Sequence, residues 1–395
     1  MDILSDPFAV AGRVRLHPGR ERSLVRRHPW LYRGALAGPL PQDPGPVEVC
    51  DSRGVPQGIA LVGGSGGSLA LRMLTFGDRR WDQDELWARL RNALGLRRRL
   101  GIDSDAWRLV HAEGDGLPGL VIDRYGTVAV VEPFEPAWDA YAEAISAFLT
   151  SEAGIETVLR RAGRARRSPV EATVGKVPGA PVVIREGQAR FPVDLAGGQK
   201  TGFFLDQRDN RRRLGELARA RTVLNLFSYS GAFAVTALVA GARLAVNVDE
   251  SAGALLLARE AYRLNGLDIP EEGFQAADAF AATRRMIALG MRFDVVVVDP
   301  PAFVKRRSEL LAGLRGYRDI NLQALRLVAE GGLLLTCSCS ALVDEPTFLE
   351  TLQGASLEAR RRVRVLERRG AAPDHPLSIH CLESRHLQAW LCAVE

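Results

Sequence analysis

VLNLFSYSGAFAVTAL, residues 223–238, decides the architecture. The apolar run predicts a buried strand over Val223–Phe227. Phe227, Ser228, Tyr229, Ser230 and Gly231 then form a turn, and small apolar residues continue as a helix. A glycine in such a turn lets the backbone pass close to a ligand at the strand's carboxyl end, the usual crevice of an open α/β sheet. The next strand, Leu244–Asp249, closes on Asp249, 249 − 231 = 18 residues after that glycine. An acid at this offset can accept hydrogen bonds from ribose hydroxyls. Only Gly231 lies in the turn, so the glycine-rich cradle for a pyrophosphate is missing. That disfavours a dinucleotide dehydrogenase and favours a nucleoside-like ligand without a pyrophosphate.

Working outward, FDVVVVDPPAF (293–303) sets Asp299-Pro300-Pro301 after four valines. The prolines stop the strand and stiffen the loop, leaving the carboxylate facing the crevice. Asp278, in AADAF, falls where the intervening strand should end, and suits either an adenine contact or a helix N-cap. In EGGLLLTCSCSALVDE (330–345), Cys337 and Cys339 share one strand face. Cys339 lies further out, where a thiol can reach a substrate base, and Cys337 is expected in the core. Cys381 and Cys392 are expected as core residues of C-terminal strands. S-adenosylmethionine is a ligand of the required kind.

The whole chain reads as an α/β protein in three regions. Residues 1–75, with short apolar runs between turns, form a β-rich module. Residues 76–189 form a small α+β domain, with a helix over Asp84–Leu100, another over Ala137–Leu149 and a strand over Arg185–Asp194. Residues 190–395 alternate strand and helix, the rhythm of a doubly wound sheet. Further strands are expected at Val295–Asp299 and Leu333–Cys337, and helices at Ala252–Asn265 and Tyr317–Val328. The 395 residues are 47% hydrophobic and carry a net charge of +5, compatible with a polyanionic partner. Arginines cluster at 20, 22, 26 and 27 and at 160, 161, 164, 166 and 167. Five scattered cysteines exclude a disulfide scaffold, and no Cys/His set has zinc spacing, so no metal is expected. Residues 222–242 lack charge but are broken by Asn225, Ser228, Tyr229 and Ser230, which argues against a membrane span. A cytoplasmic compartment fits these features.

With these residues in place, the chain resembles the PUA-domain class I methyltransferases that make 5-methylcytosine in bacterial 23S rRNA. The resemblance runs nearly end to end. It rests on GRERSLVRRHPWLY (19–32), EGDGLPGLVIDRYG (113–126), QKTGFFLDQRDNR (199–211), LNLFSYSGAFAV, VDES, VVDPPAFVK, RGYRDIN (315–321), CSCSAL and DHP (374–376). It implies a C-terminal Rossmann-like methyltransferase sheet behind an N-terminal PUA module and a central small domain. It implies S-adenosylmethionine as cofactor, held by residues 227–231, Asp249, Asp278, Asp299, Asp206 and Gln207. It maps the catalytic nucleophile onto Cys339 with Asp299 beside it, and RNA contacts onto Arg22, Arg26, Arg27, Trp30 and Lys305. The implied partner is 23S rRNA or a large-subunit precursor, with a homodimer left open as the assembly. Guanine-N7 relatives lack this cysteine, and adenine-N6 enzymes carry an NPPY-like loop where this chain has DPPA. Ala302 stands where other RNA cytosine-5 enzymes often have a second cysteine, so product release must use another base. A methyltransferase acting on a different base or atom, and a non-enzymatic RNA-binding protein, are the competing readings.

Overall fold

The computed structural model describes residues 6–41, 45–63, 68–161, 169–198 and 200–395. Arg164, Arg166 and Arg167 of the second arginine cluster therefore lie outside the described residues. The chain divides into two compact units. One comprises Met1–Val182, Asp194–Phe203 and Pro373–Ser384, and the other comprises Val183–Val193, Phe204–Ala372 and Arg385–Glu395.

The first unit holds two sheets. β1 (Arg13–Arg15), β2 (Trp30–Tyr32), β3 (Pro46–Cys50), β4 (Pro56–Val62) and β5 (Leu69–Met73) associate in the order β1-β3-β4-β5-β2. Their inward residues, among them Val14, Leu31, Val47, Val49, Ala60 and Leu71, form one core. A single-turn helix, α1 (Arg22–Val25), precedes β2. β6 (Ala106–His111), β7 (Leu120–Tyr125), β8 (Val128–Pro133), β9 (Thr157–Arg161) and β10 (Val170–Val174) associate in sequence order. This second sheet is backed by α2 (Gln83–Arg99) and α3 (Ala142–Glu152). Asp82 caps α2, accepting from the Glu85 N–H, and Leu86, Leu90, Ala93 and Leu94 bury its inner face. The stretch read as one helix over 137–149 begins instead as a 3-10 turn, Pro136–Tyr141, which passes into α3.

Several motifs outside the nucleotide-type segment turn out to hold this unit together. The Arg97 guanidinium is fully buried, donating to Asp115 at 2.7 Å and to the Asp374 carbonyl at 2.7 Å. A buried cation is tolerated only when such partners replace its water. Asp374 of DHP also accepts from the Arg108 N–H at 2.9 Å. A Cβ on Gly114 would stand 1.9 Å from the Pro376 carbonyl oxygen, so EGDG needs glycine where the DHP loop crosses it. Arg160 pairs with Asp139, and buried Arg161 donates to the Leu195 carbonyl at 2.8 Å, so both have structural work within the unit.

In the second unit the strand expected over 185–194 is a hairpin of β11 (Val182–Glu186) and β12 (Ala189–Val193), reversed at Gly187. Glu186 accepts two hydrogen bonds from buried Arg211 of α4 (Arg208–Leu217). Then come β13 (Thr222–Leu226), α5 (Ala232–Val239), β14 (Leu244–Asp249), α6 (Ala252–Leu264), β15 (Phe274–Ala276) and α7 (Ala279–Ala288). β16 (Phe293–Val298), α8 (Leu310–Leu327), β17 (Val328–Ser338), α9 (Glu345–Ala359), β18 (Val363–Gly370) and β19 (Gln388–Val394) complete the unit. The sheet order is β15-β14-β13-β16-β17-β19-β18. The first five strands run parallel, and β19 enters antiparallel between β17 and β18. Val295–Val298 are all fully buried, as a central strand covered on both faces requires. The order reverses between β13 and β16, which opens a crevice at their carboxyl ends. Helix α8 starts at Leu310, earlier than the sequence pattern implied. Cys392 lies buried in β19 as expected, but Cys381 is in no strand. It is buried in a turn of the Pro373–Ser384 segment of the first unit.

Candidate active site

The turn after β13 is tightly bent. Phe227, Tyr229 and Gly231 have φ of 56°, 47° and 72°. Such left-handed values are rare outside glycine, and here the neighbouring groups fix them. The Ser228 N–H donates to the Val248 carbonyl, and the Gly231 N–H donates to the Ser228 carbonyl at 2.8 Å. The carboxylate of Asp249, at the end of β14, accepts from the Tyr229 N–H and the Ser251 N–H, each at 2.8 Å. The 18-residue offset thus brings Asp249 against the turn itself. Gly231 caps α5, and a Cβ there would stand 2.9 Å from the Ala258 Cβ of α6. Among the described residues, the buried hydroxyls of Ser228 and Ser230 have no hydrogen-bond partner. Buried hydroxyls normally find one, so these two mark a place for a polar ligand.

Phe227 meets Phe280 and Phe303 edge-on, and Tyr229 meets Phe204 edge-on at 5.3 Å, which walls the turn with aromatic rings. Asp278 is the N-cap of α7, one carboxylate oxygen accepting from the Ala281 N–H at 2.8 Å, a role that leaves its second oxygen for a ligand.

On the other side of the switch point, β16 and β17 align Val298 with Thr336. Asp299 therefore leaves β16 beside Cys337. Burial, reinforced by the negative charge of Asp299, pushes the Cys337 thiol well above its ordinary value, and its side chain is fully enclosed. Cys339 is half-buried, with its sulfur 3.7 Å from the Pro300 carbonyl of the Asp-Pro-Pro loop. Cys337 thus lies in the core and Cys339 further out, past the end of β17 at Ser338, as expected. The serines flanking Cys339 fix its place. Ser338 donates to the Tyr317 hydroxyl at 3.1 Å, and Ser340 bonds that hydroxyl at 2.8 Å while accepting from the Val304 N–H. One buried tyrosine of RGYRDIN thereby ties the end of β17 to the loop after Asp299.

Asp206 and Gln207 form a buried turn before α4. Gln207 accepts from the Asn210 side chain at 2.6 Å, and Asp206 accepts from His386 Nε2 at 3.1 Å. Sequence reasoning missed His386 and the Tyr317–Ser338–Ser340 cluster. Tyr317 and the serines sat inside quoted motifs, whereas His386 carried no signal beyond preceding a strand.

In the first unit, Arg20, Arg22, His28, Trp30, Tyr32 and Glu383 line an open groove of about 600 Å³. Arg26 and Arg27 are exposed nearby in sequence, as is Lys305 in the second unit. Trp30 is half-buried, its indole N–H donating to Glu113 at 2.8 Å with the Arg72 guanidinium over its ring. Among the described residues, one trio, His28, Cys381 and Glu383, gathers metal-ligand atoms within 4.8 Å. His28 Nδ1 accepts from the Trp30 N–H at 3.2 Å, leaving Nε2 as the donor to Glu383 at 3.3 Å. A ligating histidine donates from its second nitrogen instead. The hydrogen bonds account for this trio without a cation.

A reversed parallel sheet, a single-glycine turn and an acid closing the next strand define a nucleoside-cofactor α/β domain. Comparison with known proteins agrees. A family description of S-adenosylmethionine-dependent methyltransferases matches residues 144–380, and one of PUA-like domains matches residues 14–76. A ribosomal RNA large subunit methyltransferase I of Erwinia tasmaniensis is 37% identical over 398 residues, covering 97% of this chain and 99% of that one. Its namesake in Aeromonas salmonicida is 38% identical, covering 95% and 97%. The chain belongs to the S-adenosylmethionine-dependent methyltransferases and, among them, to the family of ribosomal RNA large subunit methyltransferase I. Two solved structures share the fold. One, described as a SAM-dependent methyltransferase from Streptococcus mutans, has a TM-score of 0.84 at 20% identity, covering 96% of this chain and 99% of its own. The other, a methyltransferase complexed with SAH, has 0.85 at 21%, with the same coverages. The cofactor is S-adenosylmethionine. The unpartnered Ser228 and Ser230 hydroxyls and the close-packed glycine at 231 fit such a group. Among the described residues, no helix is long and apolar enough to cross a membrane.

Proposed function

We propose that this protein methylates carbon 5 of a cytosine in large-subunit ribosomal RNA, through a covalent adduct between Cys339 and carbon 6. The names of its relatives support the RNA class. The observation that carries the chemistry is the half-exposed Cys339 held against the Asp-Pro-Pro loop, beside a Cys337 that burial keeps protonated. Carbon 5 is a poor nucleophile. A thiolate adding at carbon 6 gives it enamine character, and it can then accept a methyl group. Asp299 grips the base at N3 and the exocyclic amine, stabilising charge as the adduct forms. S-adenosylmethionine supplies an electrophilic methyl on its sulfonium. The turn at 227–231 and Asp249 hold it, with Asp206, Gln207, Asp278 and Asp299 around it.

A paired cytosine must first be unstacked. Residues 1–75, read as an RNA-binding module, present Arg22 and Trp30 along the groove, with Arg26 and Arg27 adding phosphate contacts. Residues 76–189 act as a separate central domain and 190–395 as the catalytic one, with Lys305 beside the substrate strand. The compartment is the cytoplasm, where ribosomal RNA is made.

RNA carrying 5-fluorocytosine tests the chemistry, because fluorine cannot leave as a proton does. The wild-type protein should be trapped in a denaturant-stable adduct, Cys337→Ala should still be trapped, and Cys339→Ala should not. Methylation that survives in Cys339→Ala refutes the covalent route.

A further inference from the structure

With Ala302 in place of a second cysteine, the group that removes the carbon 5 proton has to come from elsewhere in the crevice. β17 and β19 pair antiparallel with Ser338 opposite Gln388. Cys339 is one residue beyond that pair on β17, and His386 is two residues before it on the β19 side. Both therefore stand at the sheet edge where β16 ends in Asp299. Asp206, from the buried turn before α4, meets His386 at this edge. Its side chain is 5% exposed and accepts from His386 Nε2 at 3.1 Å, while the imidazole is 31% exposed.

An ionised carboxylate only accepts, so Nε2 carries the ring proton and Nδ1 holds the lone pair. A histidine held in one tautomer by a buried acid, with part of its ring open to solvent, is equipped to take a proton from a substrate and pass it on.

We infer that His386 is the catalytic base that removes the carbon 5 proton, and that Asp206 is its positioning residue. The inference rests on the cytosine-5 reading of the site. After methyl transfer, carbon 5 carries both a hydrogen and the new methyl, and carbon 6 carries the Cys339 sulfur. His386 Nδ1 takes the hydrogen as a proton. The C–H electron pair forms the carbon 5–carbon 6 double bond, and the carbon 6–sulfur bond breaks with its pair returning to sulfur as thiolate. The imidazolium then loses its proton to solvent.

Because this base acts only after addition and methylation, removing it should stall the enzyme late. With unmodified cytosine RNA, His386→Ala should lose about 10²- to 10⁴-fold in turnover. It should accumulate a denaturant-stable RNA adduct that carries the transferred methyl label, with cofactor-induced thermal stabilisation unchanged. His386→Gln keeps a donor for Asp206 but has no basic nitrogen, and should stall in the same way. Imidazole added to His386→Ala should restore turnover, which a merely structural role would not allow. Asp206→Asn should lower turnover and change the shape of its pH profile, which a merely structural role would not do. Near-normal turnover in His386→Gln, or lost turnover without adduct while the wild-type protein is still trapped by 5-fluorocytosine RNA, overturns the inference and leaves the cytosine-5 reading standing. Failure of the wild-type protein to be trapped overturns that reading and the inference with it.

Discussion

Placing a methyl group on Gly231 should reveal how tightly the cofactor turn is built. Gly231→Ala introduces two separable strains. The residue has φ 72°, where a side chain costs about 1–2 kcal/mol. The new Cβ would also stand 2.9 Å from the Cβ of Ala258, which is fully buried in α6, and 3.3 Å from Asn247 Oδ1. Overpacking of that kind costs about 1–3 kcal/mol. The sum, about 2–5 kcal/mol, corresponds to a fall in melting temperature of roughly 4–20 °C for a domain of this size. Ala258→Gly removes the opposing methyl, at its own cost of about 1 kcal/mol in a helix interior. The double variant should recover the packing part and keep the backbone part. Denaturant unfolding of the four proteins gives the coupling energy, expected at about 1–3 kcal/mol in the direction of relief. A coupling near zero, or a Gly231→Ala protein as stable as its parent, would falsify the claim that α6 closes on this turn.

Three further outcomes follow from the same geometry. S-adenosylmethionine at ~100 times its dissociation constant should stabilise the protein by ~2.7 kcal/mol in a thermal-shift assay. Asp249→Ala should lose most of that increment, beyond any loss of stability in the free protein from the two N–H groups it leaves unpaired; an unchanged increment refutes the assignment. Replacing Arg22, Arg26 and Arg27 by alanine should flatten the log–log salt dependence of RNA affinity by roughly 0.7–0.9 for each phosphate no longer neutralised, and an unaltered slope means plain surface charges. Native alkylation near pH 7.5 should label Cys339 first, because it is half-buried while Cys50, Cys337, Cys381 and Cys392 are buried and burial raises the Cys50 thiol as well. Burial pushes Cys392 up to about 12 and Cys337 well up, and burial with the charges of Glu113 and Glu383 pushes Cys381 up to about 12. Peptide mapping that finds Cys337 modified first contradicts this placement.

Local chemistry made much of the second unit legible in advance. Four valines before Asp-Pro-Pro declare a covered central strand, and an acid closing the next strand declares a place at the crevice. Strand periodicity puts Cys337 and Cys339 on one face, and their separation follows from where β17 stops, at Ser338, with Cys337 inside the strand and Cys339 just beyond it. The parts that stayed hidden depend on long-range pairing. Nothing near residue 388 says that β19 enters between β17 and β18. Asp206 and His386 are 180 residues apart and meet only through that insertion. The hairpin at 182–193 was read as one strand because Gly187-Gln188 is a weak turn signal between two apolar runs. Cys381 was assigned to a strand by its apolar character, although its neighbours Ser378, His380 and Ser384 build turns. DHP and EGDG carried the family likeness but no hint of their mutual packing, since a glycine required by a distant carbonyl looks in sequence like any other glycine.

The position of β19 also governs how a nascent chain can mature. A polypeptide leaving the ribosome could lay down β13 to β17 in order, each new parallel strand finding its neighbour already in place. β18 then emerges with no strand to dock against, and β17 presents a bare row of amides and carbonyls. That open edge persists until residues 388–394 slot in and satisfy both strands at once. An unpaired edge on a hydrophobic sheet is a template for aggregation. The interval between synthesis of β18 and arrival of β19 therefore leaves two strands unpaired at once, and a translational pause there should cost soluble protein.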